Sequence, residues 1–223
     1  MKFAYPEINE VFDTENGMYN SVVIENKRLF AGIITDLYSQ KDGFEGKTVI
    51  SENHAPIQIS KRVDIIDKFI PFQLNTKSII NGIASALEKC AVNEENISRT
   101  LSLVAQTESF LLDLAFEFPC SISFENISIS SIIKHSGINV ESDLNSISEK
   151  VCEYMELVTE FEKRKMFITV NMRSFVEDDE MEKFAETVIL HGYDIIAIEN
   201  CAYKKLKNEK RLIIDEDLCE IMC

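Results

Sequence analysis

Six residues, Gly43-Phe44-Glu45-Gly46-Lys47-Thr48, look at first like a loop that could cradle phosphate. The motif that does so is GxxxxGK[ST], in which glycines let backbone amides turn toward the phosphates and the lysine reaches them. Its first glycine belongs five positions before Gly46, where this chain has Lys41. Lys47 and Thr48 also lead into a strand-like stretch, so no helix N-terminus supplies aligned amides. The segment reads as a surface turn. The three histidines, His54, His135 and His191, have no Ser, Cys or carboxylate at a catalytic or metal-binding spacing. Six cysteines stand at 90, 120, 152, 201, 219 and 223, none as CxxC, which excludes the usual zinc patterns and leaves reduced thiols.

The charged runs are more informative. Glu177-Asp178-Asp179-Glu180 suits the positive first turn of a helix. Lys163-Arg164-Lys165 is the densest basic cluster, and Lys204-Lys205-Leu206-Lys207 with Lys210-Arg211 is a second. Each can be a solvated face or helix-end charge, and each can touch phosphate.

These groups need elements to position them. Residues 21–25 read as a buried strand, followed by a helix over 28–39 with Leu29, Ile33, Ile34 and Leu37 on one face. Short strand candidates follow at 48–51 and 56–60. Helices are expected over 76–90, capped by Asn75 or Thr76, over 94–118, ended by Pro119, and over 143–161. The last quarter returns to strand 166–170, helix 177–190, strand 194–198 and a short strand at 212–214. Continuous apolar strands of this kind suit a parallel sheet covered on both faces. If the strands are parallel, Glu25, Asn26, Asn171, Glu199, Asn200 and Asp215 share one sheet edge, as a ligand site or as helix caps. The expected fold is α/β, with a mainly parallel sheet head over 1–60 plus 162–223 and an inserted helical leg over 61–161.

With 223 residues and 45% hydrophobic content, the chain can bury roughly 70% of its unfolded surface and needs no staple. The first residues hold no continuous apolar stretch of a signal peptide, and no segment approaches the ~18 apolar residues of a membrane span. The expected setting is the cytoplasm, with no membrane partner. A formal charge of −15, from 38 acids and 23 bases, argues against nucleic acid unless the bases gather on one face.

Several stretches resemble the Csn-two family of type II-A CRISPR systems. They are Ile132-Ile133-Lys134-His135-Ser136-Gly137-Ile138-Asn139-Val140-Glu141, Ile147-Ser148-Glu149-Lys150-Val151-Cys152-Glu153, and Lys163 through Val170-Asn171. The closing Ile213-Ile214-Asp215-Glu216-Asp217-Leu218 and the opening Val22-Val23-Ile24-Glu25 are similar too. The resemblance implies an α/β head related to P-loop ATPases but without nucleotide hydrolysis, and a helical leg. It implies a homotetrameric ring that encloses double-stranded DNA, prefers its ends and supports spacer acquisition, with the CRISPR integrase pair and effector nuclease as partners. By position it implies DNA contacts from Lys134 and Lys150, with Lys77, Lys163, Arg164 and Lys165 as further candidates. It also implies calcium held by carboxylates near the junction of head and leg. Here the family's acid-rich stretch is depleted, leaving Glu117, Glu125 and Glu141 as candidate ligands. Two other readings of the residues stay open: a nucleotide-binding α/β enzyme using the sheet edge, and an interaction scaffold without nucleic-acid binding.

Overall fold

The chain leaves one unit after Gln73 and returns to it at Asp143, so Met1–Gln73 with Asp143–Cys223 form a larger unit and Leu74–Ser142 a smaller one. The computed structural model describes residues 1–14, 17–164 and 166–223. The larger unit begins with β1 (Lys2–Ala4), β2 (Phe12–Asp13), β3 (Tyr19–Ile24), α1 (Lys27–Lys41), β4 (Val49–Glu52), β5 (Ala55–Pro56), α2 (Ile59–Arg62) and β6 (Val63–Ile66). The smaller unit holds α3 (Lys77–Ala91), α4 (Ile97–Ala115) and α5 (Ile129–His135). The larger unit resumes with α6 (Ile147–Glu162), β7 (Met166–Val170), a 3-10 turn at Met172–Ser174, α7 (Asp178–His191), β8 (Asp194–Glu199), β9 (Glu209–Ile214) and β10 (Glu220–Met222).

The main sheet has the order β10-β9-β3-β8-β7-β6, parallel from β9 to β6, with β10 an antiparallel edge. Every residue of β3, β6 and β7 is buried. That burial explains why these strands read as continuous apolar runs: helices cover both faces of a parallel sheet. Alternate side chains serve opposite faces. On one face Val22, Ile24, Ile168, Ile196 and Leu212 pack with Leu29, Ile33 and Leu37 of α1. On the other, Tyr19 meets Phe184 of α7 edge-on at 6.2 Å between ring centres. A second, antiparallel sheet of order β2-β1-β4-β5 brings Phe3, Phe12 and Ile50 into the α1 core.

The unit boundaries differ from the expected leg of 61–161. β6 pairs in parallel with β7, Val63 opposite Met166, and α6 packs on α7 with Val151, Met155 and Val158 buried. Residues 61–73 and 143–161 therefore sit with the sheet. The strand expected over 56–60 also differs: Ala55 and Pro56 pair with β4, Ile57 N still donates to Ile50 O at 2.8 Å, and the chain then coils into α2 at Ile59. In the smaller unit Thr76 caps α3 through Ile79 N, as the sequence suggests, and Ile79 and Ala84 are buried.

The turn after α1 is closed by a close approach. A methyl group on Gly46 would lie 2.5 Å from the Gln40 side chain and 2.6 Å from Asp36 Oδ1. Gly46→Ala is therefore expected to lower stability by roughly 1–3 kcal/mol, as overpacking does, measured by urea unfolding. An unchanged midpoint would mean that the turn yields freely.

Candidate functional site

All parallel strands end at one edge, and the polar residues expected there do collect at it. Most of them close the backbone. Asn26 Oδ1 accepts from Leu29 N at 3.0 Å, and its Nδ2 donates to Glu216 O at 2.9 Å. Asn171 adopts a left-handed conformation, φ 55°, and its Oδ1 accepts from Asn200 N at 2.9 Å. Asp215 Oδ1 accepts from Asp217 N and Cys219 N at 3.0 and 2.8 Å. The central connection, from β3 to α1, has only Glu25 and Asn26. A phosphate cradle needs a glycine-rich loop whose amides converge on one point. Two non-glycine residues do not supply one.

The phosphate-loop look-alike lies elsewhere, between α1 and β4, and its donors are already spent. Lys47 N and Thr48 N each donate to Asp36 at 2.7 Å, Thr48 Oγ1 donates to Asp36 Oδ2 at 2.5 Å, and Gln40 Nε2 reaches the same carboxylate at 3.0 Å. Burial works against the charge of Asp36, but these hydrogen bonds prevail and hold its carboxyl below the usual range. An internal anion thus occupies the place a phosphate would take.

A second set of groups comes together only in the fold, Glu199 from the expected sheet edge and Arg211 from the second basic cluster among them. Arg173, Glu199, Glu209 and Arg211 are all buried, at 5, 1, 2 and 5% exposure. Glu209 accepts from Arg211 Nη2 and Nε at 2.7 and 3.0 Å, from Ser21 Oγ at 2.5 Å and from Leu206 N at 2.8 Å. Arg211 and Arg173 both donate to the carbonyl of Lys204, at 3.3 and 2.7 Å, and Arg211 also to Tyr203 O at 2.7 Å. Arg173 pairs with Asp178 at 2.8 Å, so the acid run at the start of α7 serves an ion pair as well as the helix end. Glu199 Oε1 accepts a long bond from Arg173 N, 3.3 Å, the Met172 backbone also helps to hold the carboxylate, and Oε2 has no hydrogen-bond partner within the geometric limit among the described residues. Burial pushes its pKa up to about 7, with Arg173 opposing and Glu209 adding to the rise. The sequence signals were scattered, with Glu199 closing one strand, Glu209 and Arg211 in another and Arg173 in a turn, and periodicity does not bring them together.

The cationic candidates fall in both units. Lys77 begins α3 and Lys134 ends α5, both exposed in the smaller unit, and Lys134 pairs with Glu88 at 3.7 Å. Lys150 lies half-buried on α6. Lys163 caps α6 in the left-handed conformation, φ 59°, exposed and 3.6 Å from Glu160. Arg164 has a structural duty instead: it donates to Val63 O at 3.0 Å and pairs with Glu162 and Asp64 at 3.3 and 3.7 Å. Lys165 lies outside the described residues. Glu117, Glu125 and Glu141 are all exposed. Among the described residues no group of three or more His, Cys, Asp or Glu side chains is placed to hold a metal ion. The three candidate ligands therefore do not converge, and calcium, which wants six to eight oxygens, does not fit them as they stand.

A family model described as CRISPR-associated protein (Cas_Csn2) matches residues 40–218. The chain belongs to this family. Two relatives, each named CRISPR-associated protein Csn2, come from Enterococcus faecalis and Streptococcus agalactiae. Each is 20% identical over 218 residues, covering 97% of this chain and 96% of the relative. Among solved structures, cbiO1 from Clostridium perfringens, part of the ABC transporter complex cbiONQ, matches with a TM-score of 0.51 and 11% identity, over 95% of this chain and 79% of that one. At that identity the likeness is one of fold, an α/β architecture of the P-loop ATPase kind. A Csn2 family member has a CRISPR-associated role, and in this one two residues connect β3 to α1. No helix among its described residues is long and apolar enough to cross a membrane.

The buried carboxyl of Glu199 makes stability depend on pH. Its folded pKa, about 7, lies above the ordinary 4.5, so the folded state keeps a proton that the unfolded state has lost between those values. The stability it contributes is full below pH 4.5 and falls by about 3 kcal/mol as pH rises to 7. Glu199→Gln, neutral at every pH, is expected to remove that slope relative to the parent when melting temperature is followed across this window. Parallel profiles for the two proteins would refute the assignment.

Proposed function

We propose that this Csn2 family member is a non-catalytic protein of CRISPR adaptation that binds double-stranded DNA, preferring ends, through the centre of a homotetrameric ring. It supports the acquisition of new spacers in antiviral defence. Its proposed partners are DNA, copies of itself, the CRISPR integrase pair and the effector nuclease, in the cytoplasm. Family membership supports the CRISPR setting. The structural observation that carries the assembly is α4. This helix has no buried residue, yet it presents Leu101, Phe110, Leu112 and Leu114 at 63, 61, 51 and 41% exposure. Phe116 and Phe118 just beyond are 88 and 58% exposed. Apolar surface of this density marks an association site, because its burial is favourable by roughly 25 cal/mol per Å².

Assembly also meets the charge problem. A chain of net charge −15 attracts DNA only where its bases are pooled. Lys77, Lys134 and Lys163 are exposed and Lys150 partly so, and a closed ring can turn one such set from each copy toward a common bore. Lysines are point charges that read phosphate and carry no base code, so binding is sequence-tolerant and salt-sensitive. Absence of catalysis is supported by the spent amides around Asp36 and the short β3–α1 connection.

Linear duplex is expected to shift in a gel where closed-circular duplex of the same sequence does not, with affinity falling steeply as salt rises. Equal affinity for the two forms would remove the threading reading. A second expectation concerns α4. Phe110→Glu with Leu114→Glu adds charge one helical turn apart on an exposed surface, so the chain keeps its helical circular dichroism. Light scattering is expected to show a smaller assembly, and duplex affinity to fall by tenfold or more, roughly the loss of several phosphate contacts. An unchanged mass would exclude α4 from the interface.

A further inference from the structure

The nine residues between β8 and β9, 200–208, contain three exposed lysines within four positions: Lys204, Lys205 and Lys207. Among the described residues none of these three ammonium groups is recorded in an ion pair, unlike Lys134 and Lys163. In a chain with 38 acids and 23 bases, this is a local reversal of sign. Like charges so close repel one another, so the arrangement costs stability unless something anionic meets it.

The loop is also held in place from beneath. The carbonyls of Tyr203 and Lys204 accept from the buried guanidinium groups of Arg211 and Arg173. Leu206 is 3% exposed, and its amide donates to buried Glu209 at 2.8 Å. The Tyr203 ring stacks on Arg173, 5.0 Å from its guanidinium carbon, and its hydroxyl lies 3.0 Å from Ser174 Oγ. Burying charges is costly, and well-packed apolar residues commonly stabilise a fold equally well. What this network supplies is position: it clamps the backbone that carries the lysines. A loop fixed beforehand loses less entropy on binding, so each contact it makes is stronger.

We infer that the β8–β9 loop is a phosphate-contacting surface, with Lys204, Lys205 and Lys207 touching the sugar–phosphate backbone of duplex DNA. The inference rests on the DNA-binding reading above and adds a contact site to it. The buried network of Arg173, Glu209 and Arg211 is the positioning layer. Asp178 pairs with Arg173, and Glu182 accepts from the Lys207 amide at 3.3 Å without pairing with a lysine ammonium group. The lysines therefore keep their charge for a ligand. Lysine ammonium groups suit a repeating anion without base readout, which favours nucleic-acid backbone over a single small phosphate.

The test compares the full-length parent with two triple variants, Lys204→Glu/Lys205→Glu/Lys207→Glu and Lys204→Gln/Lys205→Gln/Lys207→Gln, by fluorescence anisotropy on linear duplex across a salt series. The glutamine triple is expected to weaken binding by roughly tenfold or more at low salt and to reduce the log–log salt slope by about 3, near 0.9 per lost phosphate contact. The glutamate triple is expected to weaken binding further. Light scattering is expected to give all three proteins the same mass. If the parent binds and the glutamine triple keeps its affinity and slope, the loop inference falls while DNA binding stands; an acidic protein partner for the loop is then the surviving explanation. If the parent itself fails to bind duplex, the DNA reading falls and this inference with it. A loss confined to the glutamate triple indicates long-range repulsion and also overturns the contact.

Discussion

Two residues separate β3 from α1, and that shortness governs what the sheet can do. In a parallel sheet the connection leaving the central strand stands over the edge where ligands bind. A longer glycine-rich connection would aim several amides at one anion. Here Glu25 and Asn26 carry the chain directly into the helix, and Asn26 turns its amide oxygen onto the first turn to cap it. The same economy is visible at Asn171 and Asp215, whose side chains close the backbone around the neighbouring loops. The edge is thus stabilised as structure by its own side chains.

That constraint makes the distribution of charge the central physical problem. Acids outnumber bases by fifteen, the difference between 38 and 23, so a single copy repels DNA at distances beyond its local cationic patches. Screening at physiological salt limits that repulsion to about 8 Å, which leaves room for patches to act at contact. Two features of the chain are consistent with such a division. Acids are drawn inward or into helix ends, as with Asp36, Glu209 and the first turn of α7. Lysines at helix ends and in the β8–β9 loop stay exposed. Arg164 is the instructive exception, for it sits in the densest basic cluster yet is consumed by Val63, Glu162 and Asp64. Letter clusters overstate available charge when one member anchors a strand.

The parts of the fold legible in the sequence were those whose burial is uniform. β3 and β7 are buried on both faces, so their apolar runs are unbroken, and α1 shows its buried face as Leu29, Ile33 and Leu37. β1 and β2 are too short to show alternation, and β6, Val63-Asp64-Ile65-Ile66, hides a carboxylate inside a strand. Asp64 is buried among long-range neighbours, Lys41, Tyr154 and Arg164, the last 3.7 Å away beyond the end of α6, and local pattern does not register them. For the same reason the unit boundary was misplaced: α6 is as periodic as a leg helix would be, and only its packing on α7 assigns it to the sheet. Among the site candidates, sequence position located the exposed lysines. It could not reveal that Glu117, Glu125 and Glu141 fail to converge, which depends on loop geometry.

Arg173, Glu199, Glu209 and Arg211 form a buried quartet of unequal satisfaction. Glu209 and Arg211 form a paired, well-hydrogen-bonded unit, whereas Glu199 is only partly satisfied and keeps its proton near neutrality. A fold selected only for stability would replace such groups with apolar ones, as the neighbouring Ile195, Ala197 and Phe167 show is possible on that face. Retaining them fixes the path of the segment between β8 and β9 through main-chain acceptors, while Lys204, Lys205 and Lys207 stay exposed. Buried polarity here secures placement: the guanidinium groups of Arg173 and Arg211 hold the carbonyls of Tyr203 and Lys204 where an apolar core would leave them without donors.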